Sequence, residues 1–440
     1  METSKDKIVV IGAGIIGLSC AFLLIRSGHR VVLVDANAPG SGCSTGNAGH
    51  IATELVFPLA SPETIMGAPG MLLSRHATLS IRPAYALRIA PWLLRYAWAS
   101  RPEAYRRGTA ALMSLQASAM DDLKALLRAA DASDHLVANG SLLVVERQQS
   151  LRSLSQMREK LAACGVPSIN LDAEEITERA QGLGRNLAGG LYFPKTGHVT
   201  DPKRICDIYA EVIAREGGEF IRAHVDKVAL RVAGGFHIKT HSNEDGAKTI
   251  SADRIIVAAG VGSAALLEPL EGKIPLDTER GYALTFSGFT PKFTLPVASY
   301  ERNIIMSPLD CGLRVTGGVE FGGVDAPPTK ARIEALKHHV RELASAPSGV
   351  PAEVWMGRRP SLPDYLPAIG ESHRHRGLFY AFGHQHLGLT LSAVTATIIA
   401  ALIEGTPPQV CIQPFRLERF SKKCVRFLAK EAGQTITKSR

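Results

Sequence analysis

The 440-residue chain is 45% hydrophobic and 21% charged, an ordinary globular composition that excludes a disordered or collagen-like polymer, and it is too long for one simple core. Fifty Lys and Arg against 41 Asp and Glu leave a formal charge of +9. These positive residues are dispersed apart from a modest tail (Lys422, Lys423, Arg426, Lys430, Lys438, Arg440), and no basic face interleaved with aromatics suits a nucleic acid.

Met1 to Lys7 is polar, and no apolar run approaches the ~18 residues that a spanning helix needs. Neither a signal peptide nor a membrane span is therefore expected, and the protein is expected in the cytoplasm. Ile8 to Ile11 reads as a strand buried on both faces, Gly12 to Gly17 as a tight turn, Leu18 to Ser27 as a helix stopped by Gly28, and Val31 to Asp35 as a second buried strand. Ser41 to Gly49 is a loop of small and polar residues. Phe57 to Pro102 mixes prolines with short helical runs carrying Arg, Trp and Tyr. Leu112 to Ala130 and Leu151 to Gly165 are predicted helices, with a strand at Ser141 to Val145 between them.

Asp201 is a sensible N-cap, followed by Pro202 at the first helical position. Ile221 to Val232 and Phe236 to Thr240 predict a hairpin, and Arg254 to Ala259 a buried strand closing on Gly260. Gly281 to Ser287, Asn303 to Ser307 and Leu313 to Gly317 predict the strands of a further sheet. Gly377 to Phe382 returns to the opening pattern as a strand, then Gly383 to Gly388 forms a turn and Leu389 to Ile403 a helix. The expected fold is mixed α/β: a discontinuous Rossmann-like dinucleotide-binding domain (residues 1–90, 190–275 and 350–420) with an inserted antiparallel-sheet substrate domain (91–189 and 276–349).

The chemistry begins at Gly12-x-Gly14-x-x-Gly17. Between a buried strand and a helix, with an acid at the end of the next strand, this pattern predicts a dinucleotide site. Gly12 permits the turn, Gly14 admits a pyrophosphate to the backbone and Gly17 lets helix and strand approach. The helix N-terminus offers N–H groups and a partial positive charge to phosphate. Asp35 would bind ribose hydroxyls and repel a 2′-phosphate, which disfavours NADP. The small residues of Ser41 to Gly49 favour a flavin lying along the backbone over a nicotinamide. Seven scattered cysteines without C-x-x-C spacing predict reduced thiols, and no Cys/His cluster has metal-ligand spacing, so no metal is expected.

Four pieces carry a wider resemblance: Val9 to Gly17, Ser44-Thr45-Gly46-Asn47-Ala48-Gly49, Gly357-Arg358-Arg359-Pro360, and Gly383-His384-Gln385-His386-Leu387-Gly388-Leu389-Thr390. In this order, and across almost the whole chain, they resemble the D-amino acid oxidase/dehydrogenase family of flavoproteins. The Asn-Ala-Gly form is most similar to bacterial D-amino acid dehydrogenases. The Gly383 to Thr390 ending is similar to the branch acting on D-hydroxyproline and related cyclic imino acids.

The resemblance implies FAD, bound non-covalently because no cysteine matches a flavin-linking position. Its contacts would come from Gly12, Ala13, Gly14, Ile15, Ile16, Gly17 and Asp35, and from Ser44, Thr45, Asn47, Ala48 and Gly49. Val225 would hold adenine by its backbone, and Ala259, Gly260, Gly383, His384, Leu387, Gly388, Leu389 and Thr390 would complete the site. The helix starting near Gly388 would aim its N-terminus at the flavin.

Arg359 matches the arginine that grips the substrate carboxylate, with Arg358 the neighbouring alternative. His50 would lie near the flavin or the site mouth, and His384 and His386 near the substrate. Tyr282 and Tyr300-Glu301-Arg302 would roof the substrate. The implied reaction is oxidation of a D-amino or cyclic imino acid by hydride transfer from Cα to flavin N5. Its electrons would go to a quinone or another non-NAD acceptor in amino acid catabolism. A flavin-binding subunit of a heteromeric dehydrogenase and an oxygen-using glycine- or sarcosine-type oxidase stay open, as does a homodimer. Leu79 to Ser100 would suit peripheral contact with the inner face of a membrane.

Overall fold

The computed structural model describes residues 6–73, 79–184, 186–244, 246–344, 351 and 353–421, with side chains omitted at 68–73. The basic tail from Lys422 onward and Cys424 lie outside the described residues.

A six-stranded sheet is built in the order Glu219–Arg222, Arg30–Asp35, Lys7–Ile11, Arg254–Val257, Leu378–Phe382 and Ala368–Glu371. Its first five strands are parallel and the last is antiparallel to its neighbour. The apolar runs divide cleanly between its faces. Ile8, Val10, Val31, Leu33 and Ile256 join a core under helices Ile15–Arg26, Pro102–Ala129, Pro202–Arg215 and Ser392–Glu404. Val9, Ile11, Val32, Val34, Ile255 and Val257 join a second core that includes Val228, Phe236 and Ile238 of a three-stranded meander. Burial on both faces is why these strands are continuously hydrophobic rather than alternating. Helix Ile15–Arg26 likewise lacks a polar face, with ten of its twelve residues buried.

Asp201 caps helix Pro202–Arg215 as expected, its carboxylate accepting from the N–H groups of Lys203 and Arg204. The expected hairpin is present as His224–Leu230 against Phe236–Ser242. Ile221 and Arg222 instead end a separate strand, Glu219–Arg222, that pairs with Val32 to Asp35 at the edge of the first sheet. A break at Ala223, whose N–H donates to the Asp35 carbonyl, ends that strand before the hairpin begins.

The second large sheet has nine strands, mostly antiparallel, with two parallel joins at Ser141–Val145 and Leu79–Ile81. Leu79–Ile81, Gly189–Phe193 and Glu353–Ser361 hydrogen-bond into this sheet, although the expected boundaries grouped all of them except Gly189 with the dinucleotide-binding segments. One face packs Tyr282, Leu284, Phe286, Met306 and Val315 against Leu336, Val340 and Leu343 of helix Lys330–Leu343. Among the described residues no helix is long and apolar enough to cross a membrane.

Candidate functional site

The glycine turn lies where the first sheet's two central strands meet helix Ile15–Arg26. Gly12 has φ +109°, a region that L side chains rarely adopt, and a Cβ there would overlap the Ala258 carbonyl oxygen. A Cβ on Gly17 would overlap the Gly12 carbonyl oxygen. These two glycines are therefore required by the protein's own packing. Gly14 differs: the nearest atom to an added Cβ is Ser44 Oγ at 3.6 Å. The fold does not need glycine there, so the room it leaves suits a ligand.

Around that room, Asp35 Oδ2 accepts from the Ala13 N–H at 2.8 Å, and Ser44 Oγ accepts from the Ile15 N–H at 3.0 Å. Ile16 is buried within the core. Ala258 donates its N–H to the Ile11 carbonyl, and Ala259 and Gly260 follow in a short 3-10 turn beside Gly12. Val225 is buried against the core containing Val34 and Ile11. The fingerprint, Asp35, Ser44, Ala259 and Gly260 are thus brought together at one end of the sheet.

The loop after Asp35 is tied to the second sheet by Arg314, a residue the sequence reading missed. Its Nη1 donates to the carbonyls of Thr45 at 2.6 Å and Asn47 at 3.1 Å, and its Nε donates to Thr285 Oγ1 at 3.1 Å. A charged side chain between Leu313 and Val315 in a buried strand was the available signal. The Trp355 ring lies against Gly46 and Gly357, where any Cβ would overlap it. Asn47 Oδ1 accepts from the Gly49 N–H at 2.8 Å, which folds Ala48 into the bend.

His50 leads away from this loop into a buried polar group. His50 Nε2 is 3.5 Å from Glu54 Oε1, and His50 opposes His198 across a short antiparallel pair. Burial pushes the His50 imidazole down to about 3, with His198 adding to the shift, and pushes the Glu54 carboxyl up to about 8. His198 is lowered to about 4, again by burial. His50 Nε2, Glu54 Oε2 and His198 Nδ1 are buried without a hydrogen-bond partner. At neutral pH the group is thus two neutral imidazoles beside a carboxyl that is largely protonated.

Arg359 comes from strand Glu353–Ser361, opposite Glu279 of Asp277–Ser287. Arg359 is half-buried. Burial lowers its pKa and Glu279 opposes that shift. The guanidinium crosses Gly281, where a Cβ would overlap it, and Nη1 donates to the Gly318 carbonyl at 3.3 Å. Glu279 is fully buried, raised by burial to about 7 with Arg359 opposing, and accepts from the Tyr365 hydroxyl. Cys43, whose thiol donates to the Arg358 carbonyl at 2.9 Å, also lies near Arg359, whereas the Arg358 side chain is exposed.

The C-terminal segment reaches the same place. Gln385 donates its N–H to the Pro360 carbonyl, and His384 bridges to Ser361. His386 is lowered to about 4, by burial first and by Arg359 second. Thr390 Oγ1 accepts from the Ala52 N–H at 3.0 Å, joining this segment to the one after the glycine loop. Leu387 and Leu389 are buried in the core, while Gly388 has room for a side chain.

Three expectations change. Tyr282 points away from Arg359, because strand alternation puts residues 279 and 281 on one face and 282 on the other. Its hydroxyl donates to Glu320 at 2.6 Å within the core beneath helix Lys330–Leu343, so it does not roof the site. Tyr300-Glu301-Arg302 forms a structural corner instead of a roof: Arg302 pairs with Glu146, and Glu301 accepts from the Glu146 and Arg147 N–H groups. The last long helix begins at Ser392, not near Gly388. His384 Nε2 is occupied by Thr395 Oγ1 of that helix at 2.9 Å, and burial lowers this ring to about 3.

The residues fit FAD. An added Cβ at Gly14 would meet only Ser44 Oγ, at ordinary contact distance, next to the start of helix Ile15–Arg26, and Asp35 ends the adjacent strand as an acid should in such a site. Buried unpartnered atoms, His50 Nε2 and Gln385 Nε2, sit on the two segments expected to meet the ring system.

Known proteins agree. The family described as FAD dependent oxidoreductase matches residues 7–402. A D-amino-acid oxidase of Bradyrhizobium diazoefficiens is 31% identical over 422 residues, covering 94% of this chain and 98% of that protein. A D-amino acid dehydrogenase of Rhizorhabdus wittichii is 31% identical over 430 residues, covering 94% and 100%. The solved structure of glycine oxidase from Geobacillus kaustophilus shares the fold, with a TM-score of 0.74 at 21% identity over 94% of this chain and 99% of that one.

Proposed function

The chain belongs to the FAD-dependent oxidoreductase family, and on that premise we propose that it oxidises a small D-amino acid or a cyclic imino acid of the D-proline or D-hydroxyproline kind. The electrons pass to a quinone or another acceptor that is not a nicotinamide. When bound, FAD supplies the hydride acceptor. We assign its non-covalent binding to the Gly12 to Gly17 turn, Asp35, the Ser44 to Gly49 loop, the Val225 backbone and the Gly383 to Thr390 segment.

The observation that carries the substrate reading is the position of Arg359, an arginine beside both the Cys43 to Asn47 loop and the His386 segment. Its planar guanidinium binds a carboxylate through two parallel hydrogen bonds and so fixes the direction of the Cα–H bond. His386, held neutral by burial, adds no second positive charge there. Loss of hydride from Cα and of a proton from nitrogen leaves a C=N bond. An acyclic imine then takes up water to give a 2-oxo acid and ammonia, and a cyclic substrate stops at the cyclic imine. No side-chain base is assigned, because an amine that binds unprotonated needs none.

The acceptor reading is supported by helix Ala86–Ala99. Leu87, Leu94 and Trp98 are 92%, 74% and 52% exposed and follow one side of the helix with Pro91, flanked by Arg88, Arg95 and Arg101. An apolar row edged with arginines suits an anionic membrane surface, where quinones dissolve.

Anaerobic mixing of the purified protein with D-proline, cis-4-hydroxy-D-proline, D-alanine, glycine and sarcosine tests the substrate class. At least one is expected to bleach the bound flavin, and bleaching by none would overturn the reading.

A further inference from the structure

Three side chains far from the glycine turn in sequence converge on the exposed face of the three-stranded meander. His224 and His241 lie directly opposite each other on strands His224–Leu230 and Phe236–Ser242. The pairing is irregular between Val225 and Lys227, and Asp226, at that irregularity, turns its carboxylate toward both rings. Asp226 Oδ1 is 3.2 Å from His224 Nδ1 and 2.7 Å from His241 Nδ1. Among the described residues this is the one group of three His, Cys, Asp or Glu side chains whose ligand atoms all lie within 4.8 Å of one another.

We propose that His224, Asp226 and His241 form a surface site for a divalent metal ion of the zinc class, clipping the start of one strand to the end of the next. Zinc takes nitrogen and oxygen ligands at about 2.0–2.2 Å in a tetrahedron, whose ligand atoms are then about 3.3 Å apart. The His224 distance already has that value, and an exposed His241 ring needs only a small rotation to widen its own. Two imidazoles with one carboxylate select zinc, copper or nickel over calcium and magnesium, which prefer all-oxygen sets. Exposure leaves the fourth position to water.

The clip spans Val225, whose side chain is buried in the core that also holds Val34 and Ile11. Metal binding would therefore stiffen the backbone proposed above to hold adenine. That consequence rests on the proposed function, whereas the metal site does not.

Calorimetric titration of the FAD-loaded, chelator-treated full chain with ZnCl2 tests the site. One zinc per chain is expected, with no binding of MgCl2 at the same concentration. His224→Ala, His241→Ala and Asp226→Asn should each weaken zinc by at least about tenfold, the loss that even an outer partner of a metal ligand can cause. His237→Ala, on the same strand face but outside the group, should not. Because all three ligands are exposed, the variants are expected to fold and keep their FAD. Absence of zinc binding, or equal affinity in all five proteins, would overturn the proposal.

Discussion

Arg359 and Glu279 stand opposite each other on adjacent antiparallel strands, a guanidinium partly balanced by a buried carboxyl group. Burial drives both groups toward neutrality, and each opposes that drive in the other. A substrate carboxylate arriving at Arg359 would supply the anion that Glu279, at about 7, only partly provides.

Arg359→Lys should therefore keep the yellow cofactor and lower kcat/KM by about 100-fold or more, because an ammonium cannot make the paired hydrogen bonds of a guanidinium. Arg359→Ala should lose more and also destabilise the fold, and Glu279→Gln in the same chain should recover part of that stability. Steady-state rates with a dye acceptor, alongside melting curves, check this. An unchanged kcat/KM in Arg359→Lys would mean that the carboxylate binds elsewhere.

The glycine turn makes a separable prediction. If the Gly14 backbone meets the FAD phosphates as proposed, Gly14→Ala should leave the fold intact but weaken FAD by about tenfold or more, since the added methyl would stand between them. Gly17→Ala should destabilise the protein by about 1–3 kcal/mol even without ligand, because its methyl collides with the Gly12 carbonyl. The FAD-to-protein ratio and the melting temperature of each variant distinguish the two. Equal melting temperatures would contradict the distinction.

Glu54 should leave a pH signature. Its folded pKa of about 8 lies above the ordinary value of 4.5. Its contribution is therefore fully present below about pH 4.5 and is lost as pH rises toward 8, on the order of a few kcal/mol in all. His50, lowered to about 3, runs the other way and loses its contribution as pH falls below 6.5. Glu54→Gln should gain stability over the unmutated protein as pH rises from 5 to 9. Parallel melting curves across that range would show that Glu54 is not the group responsible.

Helix Ala86–Ala99 should carry the protein onto anionic vesicles at low ionic strength and release it as salt is raised. Leu94→Glu with Trp98→Glu should abolish flotation while leaving dye-linked turnover unchanged. Failure of the unmutated protein to float would rule out this surface as a membrane contact.

Legibility in the sequence followed locality. Lys7 to Asp35 could be read because strand, turn and helix are each set by neighbouring residues. Arg359 could be named because its strand carries the Gly-x-Arg-Pro form. Tyr282 was misread for a geometric reason: one residue along a strand decides which face a side chain takes, and nothing in Arg280-Gly281-Tyr282 says which face is covered. Glu279, Glu54 and Arg314 were missed because their significance lies in partners hundreds of residues away or in burial that only the assembled sheets create. Ile221 and Arg222 were joined to the wrong element because the break at Ala223 depends on Asp35.

The place of strand Leu378–Phe382 has a consequence during synthesis. Arg254–Val257 pairs with it directly, yet about 120 residues separate the two strands. At about 5–20 residues per second, the ribosome needs roughly 6–24 s to deliver the partner. Throughout that interval the nascent chain presents an apolar, unpaired sheet edge, the kind of template on which other chains add strands. Slow translation between residues 258 and 377 should thus favour aggregation over yield, and early chaperone engagement should favour the reverse.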